Sequence, residues 1–424
     1  MMRKFSLTLS LLLVVFVPVL VLGAGSSSAD DRENGGTVKL LKTIGPFDDQ
    51  TIAVFDISWV DPDTQLYYLA DRTNNAIDVV DVKDSVRVKQ IAKGQFKGFT
   101  GNNNTSGPNG VVTSGHWLFV TDAPKLVMGQ PTGPTVVSID LNTDQIVDGV
   151  SVGGADALRT DELAYDPKDG ILLVVNNADT PPFATLIQVN TANGHLTVGK
   201  RIPFADATNG AEQPVWDRRT GRFYISIPEV SGPGDGSGPN GAVKKINPHT
   251  GEVEATFLVT FCQPAGLTVG PNNDLLLGCS ETFTTPDSAG NRTHWDPAHP
   301  TPNPDPKQVI MNKLTGGTTD VRGVGGSDEV WFNRGDGRYY TASRNNPVTP
   351  ALGVIDADSK TLIQVVPTVT PSDGGTAHSV AVDPHNNHAI VPLPANTRIP
   401  DCAKGCFGVY GAPNGEHGEG HERN

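Results

Sequence analysis

The feature that most constrains this chain is a short hairpin that recurs along it. Its clearest copy is Glu212 to Ile227, EQPVWDRRTGRFYISI, where an apolar run closed by Asp217 leads into a polar turn ending at Gly221 and a second apolar run. Two such runs joined by turn chemistry read as a β-hairpin. The equivalents of Asp217 are Asp61, Ser114, Asp166, Gly270, Asn333 and Asp383, which close DISWVD, NGVVTS, DELAYD, AGLTVG, DEVWFN and HSVAVD. They recur about every 52 residues, with one longer interval, and a period of that size marks a repeat array.

A repeating all-β unit of ~40–50 residues fits one four-stranded propeller blade. The chain is therefore predicted to be all-β, a seven-bladed β-propeller of four-stranded blades over residues 37–411. Thr37 to Ile44, TVKLLKTI, has no strand partner near it in sequence, and the last blade runs out after Phe407 to Tyr410. The N-terminal strand is expected to supply the missing outer strand and close the ring, which removes exposed sheet edges.

The ends read differently. Arg3-Lys4 precedes an apolar run from Phe5 to Leu22 and then small residues, the pattern of a signal peptide over 1–23 with cleavage between about 23 and 29. An uncleaved anchor is the alternative reading of that run, and no other segment approaches membrane-spanning length. Residues 24–36 and the Gly/Glu/His tail 412–424 are too polar to pack and are expected to be disordered. The mature chain is thus expected to be secreted, extracellular or periplasmic, and monomeric. A formal charge of -14 without a basic patch argues against nucleic acid as a partner. Four cysteines in an exported chain are expected as disulfides, Cys262 with Cys279 and Cys402 with Cys406; a metal or redox site is the rival reading of CAKGC. Asn103, Asn104 and Asn291 head glycosylation sequons.

Loop lengths locate function. The first-to-second and third-to-fourth strand turns are short, as in DPKDG and NPHTG, whereas Thr121–Pro134, Asn176–Phe183, Pro228–Asn240, Ser280–Pro306, Arg344–Pro350 and Pro394–Gly405 are long. The long connections share one face, where binding residues on repeat folds concentrate. At the channel mouth on that face the register places Asp56, Asn109, Asp161, Glu212, Ala265, Asp328 and His378, with Glu162, Gln213, Gln263 and Glu329 beside them. A ring of carboxylates needs compensation, and hard oxygen ligands suit Ca2+ or another divalent cation. Asp56, Asn109, Asp161, Glu212 and Asp328 are the metal-ligand candidates. Asp161, Glu212, Asp328 and His378 are the catalytic candidates, since carboxylates and His move protons. The bland alternative is a rim that only hydrogen-bonds neighbouring blades and channel water. In a second ring Arg72, Asn176 and Arg344 are the substrate-binding candidates; the arginines confer no turn benefit and could clamp a carboxylate.

Two stretches carry a family resemblance. AEQPVWDRRTGRFYISI, Ala211 to Ile227, resembles the first hairpin of the calcium-dependent gluconolactonase and senescence-marker family, and GPNGVVTSGHWLFVTD, Gly107 to Asp122, resembles another of its hairpins. The resemblance implies metal ligation by Glu212 and Asn109. Departures accompany it: that family has six blades, and Ala265 in QPAGLTV stands where its catalytic Asp would fall. The seven-fold count and YYLADRTNNAIDVVDV, Tyr67 to Val82, look more like the seven-bladed lactonase-type and surface-protein propellers. Two functions follow as expectations: a divalent-cation-dependent hydrolase of a lactone or small ester, or a non-catalytic extracellular or envelope scaffold that binds a small molecule or an extracellular protein.

Overall fold

The computed structural model describes residues 36–127, 130–283, 306–369 and 377–413. The expected signal segment, most of the loop Ser280–Pro306 and the tail beyond 413 lie outside them. Among the described residues no helix is long and apolar enough to cross a membrane.

The described chain is a succession of four-stranded antiparallel units. The first is Ser58–Asp61, Leu66–Asp71, Ala76–Asp81 and Val86–Ile91, paired in chain order. The second strands are mostly apolar and mostly buried, wholly so in Ile171–Asn176, because neighbouring units cover both faces. The outer strands alternate, as in Gln145–Ser151, because one face meets solvent. One sheet has eight strands. It consists of two such units joined by a single parallel pairing of Asn240 with Cys262. The N-terminal strand, Lys39–Ile44, pairs antiparallel with Cys406–Gly411 and completes the last sheet with Ala381–Asp383 and His388–Leu393. A two-stranded hairpin, Leu126–Val127 with Gln130–Pro131, lies inside the long Thr121–Pro134 connection.

The inner strands Ser58–Asp61, Val111–Ser114, Leu163–Asp166, Pro214–Asp217, Cys262–Val269, Val330–Asn333 and Ala381–Asp383 each touch the next, and the last touches the first. Each inner junction packs two adjacent units around a separate apolar cluster. Trp59 and Trp331 meet edge-on with ring centroids 5.1 Å apart. Both expected cysteine pairs are disulfide-bonded: Cys262–Cys279 spans adjacent strands with Cα atoms 5.3 Å apart, and Cys402–Cys406 closes a short loop.

The residue that marked the repeat has a local job. Asp61 accepts from the amides of Asp63 and Thr64, Asp217 from Arg219 and Thr220, Asp166 from Lys168, Asn333 from Gly335 and Asp383 from His385. A short carboxylate or carboxamide at the end of the first strand thus closes the turn that reverses the chain. Several copies also reach the neighbouring unit. Gln65 donates to Asp383 at 2.6 Å, Asn333 donates to Asn387 at 3.1 Å, and Lys313 lies 2.9 Å from Asp217 with both side chains buried.

Removing one partner of a buried ion pair leaves an uncompensated charge, which costs about 3 kcal/mol. Lys313→Met is therefore expected to lower the thermal midpoint by several degrees. Adding Asp217→Asn, which keeps the turn acceptor and removes the charge, should recover part of the loss. Two single-variant melts and the double-variant melt check this; equal losses in Lys313→Met and the double variant would show that the ion pair is not the cause.

Candidate functional site

The ring at the mouth is positioned by its backbone. At three junctions the residue after a ring position donates to the ring carbonyl of the next unit: Ile57 N to Asn109 O, Gly110 N to Asp161 O, and Glu329 N to His378 O, at 3.1–3.2 Å. Hydroxyls from second strands reach the same carbonyls, Thr121 to Asp161 and Ser226 to Ala265. A side chain at Gly266 would collide with the Asp328 carbonyl, since a Cβ there would lie 2.2 Å from that oxygen. The packing of the inner strands therefore sets the spacing of the ring.

The ring is held together by arginines. Arg72 bonds Asp56, donates to Asn109 Oδ1 at 2.6 and 3.0 Å and reaches Asn103 Oδ1 at 2.5 Å. Arg159 lies 3.0 Å from the same Asp56 oxygen and 2.7 Å from Asp161 Oδ2. Asn109 donates to Thr160 O. His378 stacks on Phe55 with ring centroids 4.9 Å apart and places Nε2 3.6 Å from Asp56 Oδ1. Arg344 pairs with Asp328 at 2.8 Å. Arg72 and Arg159 are buried, whereas Arg344 keeps about a third of its side chain exposed.

This pattern splits the acids into two groups. Burial alone would raise Asp56, but the charge of Arg72, a hydrogen bond from His378 and the charge of Arg159 hold its carboxyl well below the usual carboxylate range. Asp161 is raised to about 7, by burial and by Asp56 and Asp328 against the pull of Arg159. Glu212 is raised to about 8, by burial, then Asp161 and Asp328, with Arg159 and Arg344 opposing. Below the mouth Glu162 and Glu329 are pushed well above the usual range, chiefly by burial and then by neighbouring carboxylates. They hydrogen-bond each other, and Gln213 donates to Glu329 at 3.1 Å while accepting from Leu267 N.

The mouth opens into a cavity of 1080 Å³. Its floor carries Asp56, Arg72, Arg159, Asp161, Glu162, Glu212, Asp328, Arg344 and His378; its walls are Asn103–Asn104, Asn177–Pro182, Ala205–Gly210 and Pro233–Gly234. The catalytic candidates Asp161, Glu212, Asp328 and His378 thus come together. Of the substrate-binding candidates, Arg344 faces the cavity and Arg72 is committed to Asp56 and Asn109. Asn176, the last residue of its strand, is wholly buried, and its neighbour Asn177 reaches the wall instead. The metal-ligand set does not fit a single cation as arranged: oxygens of Asp56, Asn109 and Asp161 take guanidinium N–H groups, and Asp328 takes Arg344. Among the described residues no group of three or more His, Cys, Asp or Glu is arranged to hold a metal ion.

Two functional residues escaped the sequence reading. Arg159 sits in an irregular stretch, two positions before Asp161, and its only signal is an arginine next to a ring position. Glu229, wholly buried, accepts from Thr208 Oγ1 at 2.8 Å, Gly234 N at 2.7 Å and Gly238 N at 3.3 Å. It shapes the Gly-rich loop Pro228–Asn240, and a Cβ at Gly232 or Gly238 would come within 2.1 or 2.7 Å of its carboxyl.

A raised carboxyl pKa stabilises the folded state below the ordinary value and loses that contribution as pH rises through the folded value. Glu329→Gln should therefore leave the thermal midpoint near that of the parent at about pH 5 and raise it by several degrees near pH 8.5. Melting curves across that range test it; an equal shift at both ends would mean that Glu329 carries no raised proton affinity.

No family model and no curated protein matches the chain. Solved structures do. A chain of Kuenenia stuttgartiensis hydrazine synthase aligns at TM-score 0.58 and 12% identity over 82% of this chain and 93% of its own. The β-propeller domain of Myceliophteria thermophila Cps50 (Swd1) aligns at 0.55 and 8% over 89% and 100%, and the Neurospora crassa Pan2 WD40 domain at 0.53 and 10% over 89% and 96%. At these identities the likeness is one of fold: the chain is an all-β propeller built from four-stranded sheets.

Proposed function

We propose that the protein is an exported seven-bladed propeller, closed by Lys39–Ile44, that hydrolyses a lactone or similar small ester at its mouth. The observation that carries this is the pair Asp161 and Glu212, both raised to near-neutral values on the floor of one large polar cavity. Acid–base catalysis is most effective when the pKa of each group lies near the working pH. The two disulfides suit an oxidising compartment.

In this reading the ionised form of Asp161 takes a proton from a water molecule as its oxygen bonds to the substrate carbonyl carbon. The protonated form of Glu212 then gives its proton to the leaving ester oxygen, and the acyl–oxygen bond breaks. Arg344 and His378 face the same space and would hold the carbonyl oxygen as charge builds on it. Arg159 keeps Asp161 partly ionised despite burial. The cation implied by the lactonase resemblance has no ligand set free of arginine contacts, so no step here runs through it.

The test is a lactone and ester screen with and without chelator, together with elemental analysis of the purified protein. Chelator-insensitive turnover is expected, with a bell-shaped kcat/KM profile rising through about pH 7 as Asp161 ionises and falling through about pH 8 as Glu212 loses its proton. Glu212→Gln should lower kcat at least 100-fold and remove the alkaline limb as a feature of the residual activity. No turnover on any ester class, with a ligand still bound at the mouth, would instead identify a non-catalytic binding propeller.

A further inference from the structure

We infer a second, separate ligand site: the central channel below the Glu162–Glu329 pair is a binding cavity for a small, neutral, flat ring compound. Its volume is 370 Å³, within the range of ligand cavities rather than of the voids left by ordinary packing. The wall carries Trp59, Trp216 and Trp331, three of the five tryptophans in the chain. The lining also includes the smaller side chains Val215, Thr268 and Val269, each only half-buried.

Space remains here because the repeat is imperfect. At matching positions of the inner strands, Trp59 and Trp331 are large while Val112, Ala164, Val215, Thr268 and Ala381 are small. The two tryptophans lean on each other edge-to-face and leave the other side of the channel unfilled. Trp59 is fixed by its bond to Thr113 Oγ1 at 2.9 Å, so the aromatic wall is braced.

Chemistry selects the occupant. The side walls are aromatic and aliphatic, which favours a planar apolar body. The polar groups are the hydroxyls of Ser58, Thr113, Ser114, Tyr165 and Thr268 and the Gln213 carboxamide, with Glu162 at the upper end. Glu162 also lines the mouth cavity, so the Glu162–Gln213–Glu329 cluster is the partition between the two spaces. No Lys, Arg or His is among the lining residues to pair with an anion, which is therefore disfavoured. The lining extends to Ser114 and Pro167, at the short-turn end of the inner strands.

The probe is N-phenyl-1-naphthylamine, neutral and fluorescent, with its sulfonated analogue 8-anilinonaphthalene-1-sulfonate as the anionic counterpart. One saturable site per chain is expected, with quenching of tryptophan emission by the neutral probe and at least tenfold weaker binding of the sulfonate. Thr268→Phe and Val215→Phe, each filling the cavity, should weaken the neutral probe at least tenfold, while Arg344→Ala at the mouth leaves it unchanged. Circular dichroism and melting curves confirm that each variant is folded, and either filled variant alone suffices for the comparison. Absence of saturable binding, equal affinity in a folded filled variant, equal affinity for the sulfonate, or loss of binding in Arg344→Ala would each overturn the assignment.

Discussion

Everything at the mouth depends on how Asp56 is neutralised. It is a buried carboxylate, and a buried charge persists only where a partner repays its lost hydration. Two guanidinium groups do so, Arg72 from its own unit and Arg159 from 103 positions along the chain. Asp56 thereby stays ionised and takes up much of the charge of both arginines, leaving Asp161 a share of Arg159. The remaining acids, Asp161, Glu212, Glu162 and Glu329, receive less compensation, so burial and mutual repulsion raise them. One strongly paired acid and several of raised proton affinity are two results of a single shortage of positive charge.

That arrangement is legible in the sequence only in part. The ring positions Asp56, Asn109, Asp161, Glu212, Asp328 and His378 follow from the hairpin register, because the backbone bonds between inner strands repeat from unit to unit. Which ring members pair with which cation does not follow. Asp56 and Arg159, 103 positions apart, meet only once units one to three are assembled around the mouth, and spacing along a chain holds no record of that. Arg72 was legible as an arginine with no turn role, but its partner is the ring itself. The Asp217 register mark was legible as a repeat and hid its cause, a side chain that caps its own turn and reaches Lys313 of the next unit.

The lost symmetry of the repeat is what gives the molecule its chemistry. A perfect array would place the same residue at every ring position. Here Ala265 and Asn109 bear no charge, the buried arginines gather at one side, and the loops that wall the cavity come from Asn177–Pro182, Ala205–Gly210 and Pro233–Gly234. The cavity is therefore walled by the loops of some units and not of others, with Glu212, Asp161 and Arg344 on its floor. Ala265 removes the acid that the gluconolactonase-like hairpin would lead one to expect, and the raised acids lie on the neighbouring unit and the one before it. Resemblance along one hairpin thus transfers a backbone shape, while reactivity depends on charge balance around the whole ring.

The same asymmetry operates lower in the channel with apolar side chains in place of charges. Large residues on two inner strands and small ones on the others leave room that close packing would normally remove. Between the two spaces, Glu162 and Glu329 hydrogen-bond each other, Gln213 donates to Glu329, and burial with the neighbouring carboxylates raises the proton affinity of both acids. An ionised pair there would repel itself and draw water into the Trp-lined space. Protonation of the partition is therefore a condition for the lower cavity to stay apolar, which ties the electrostatics of the mouth to the packing beneath it.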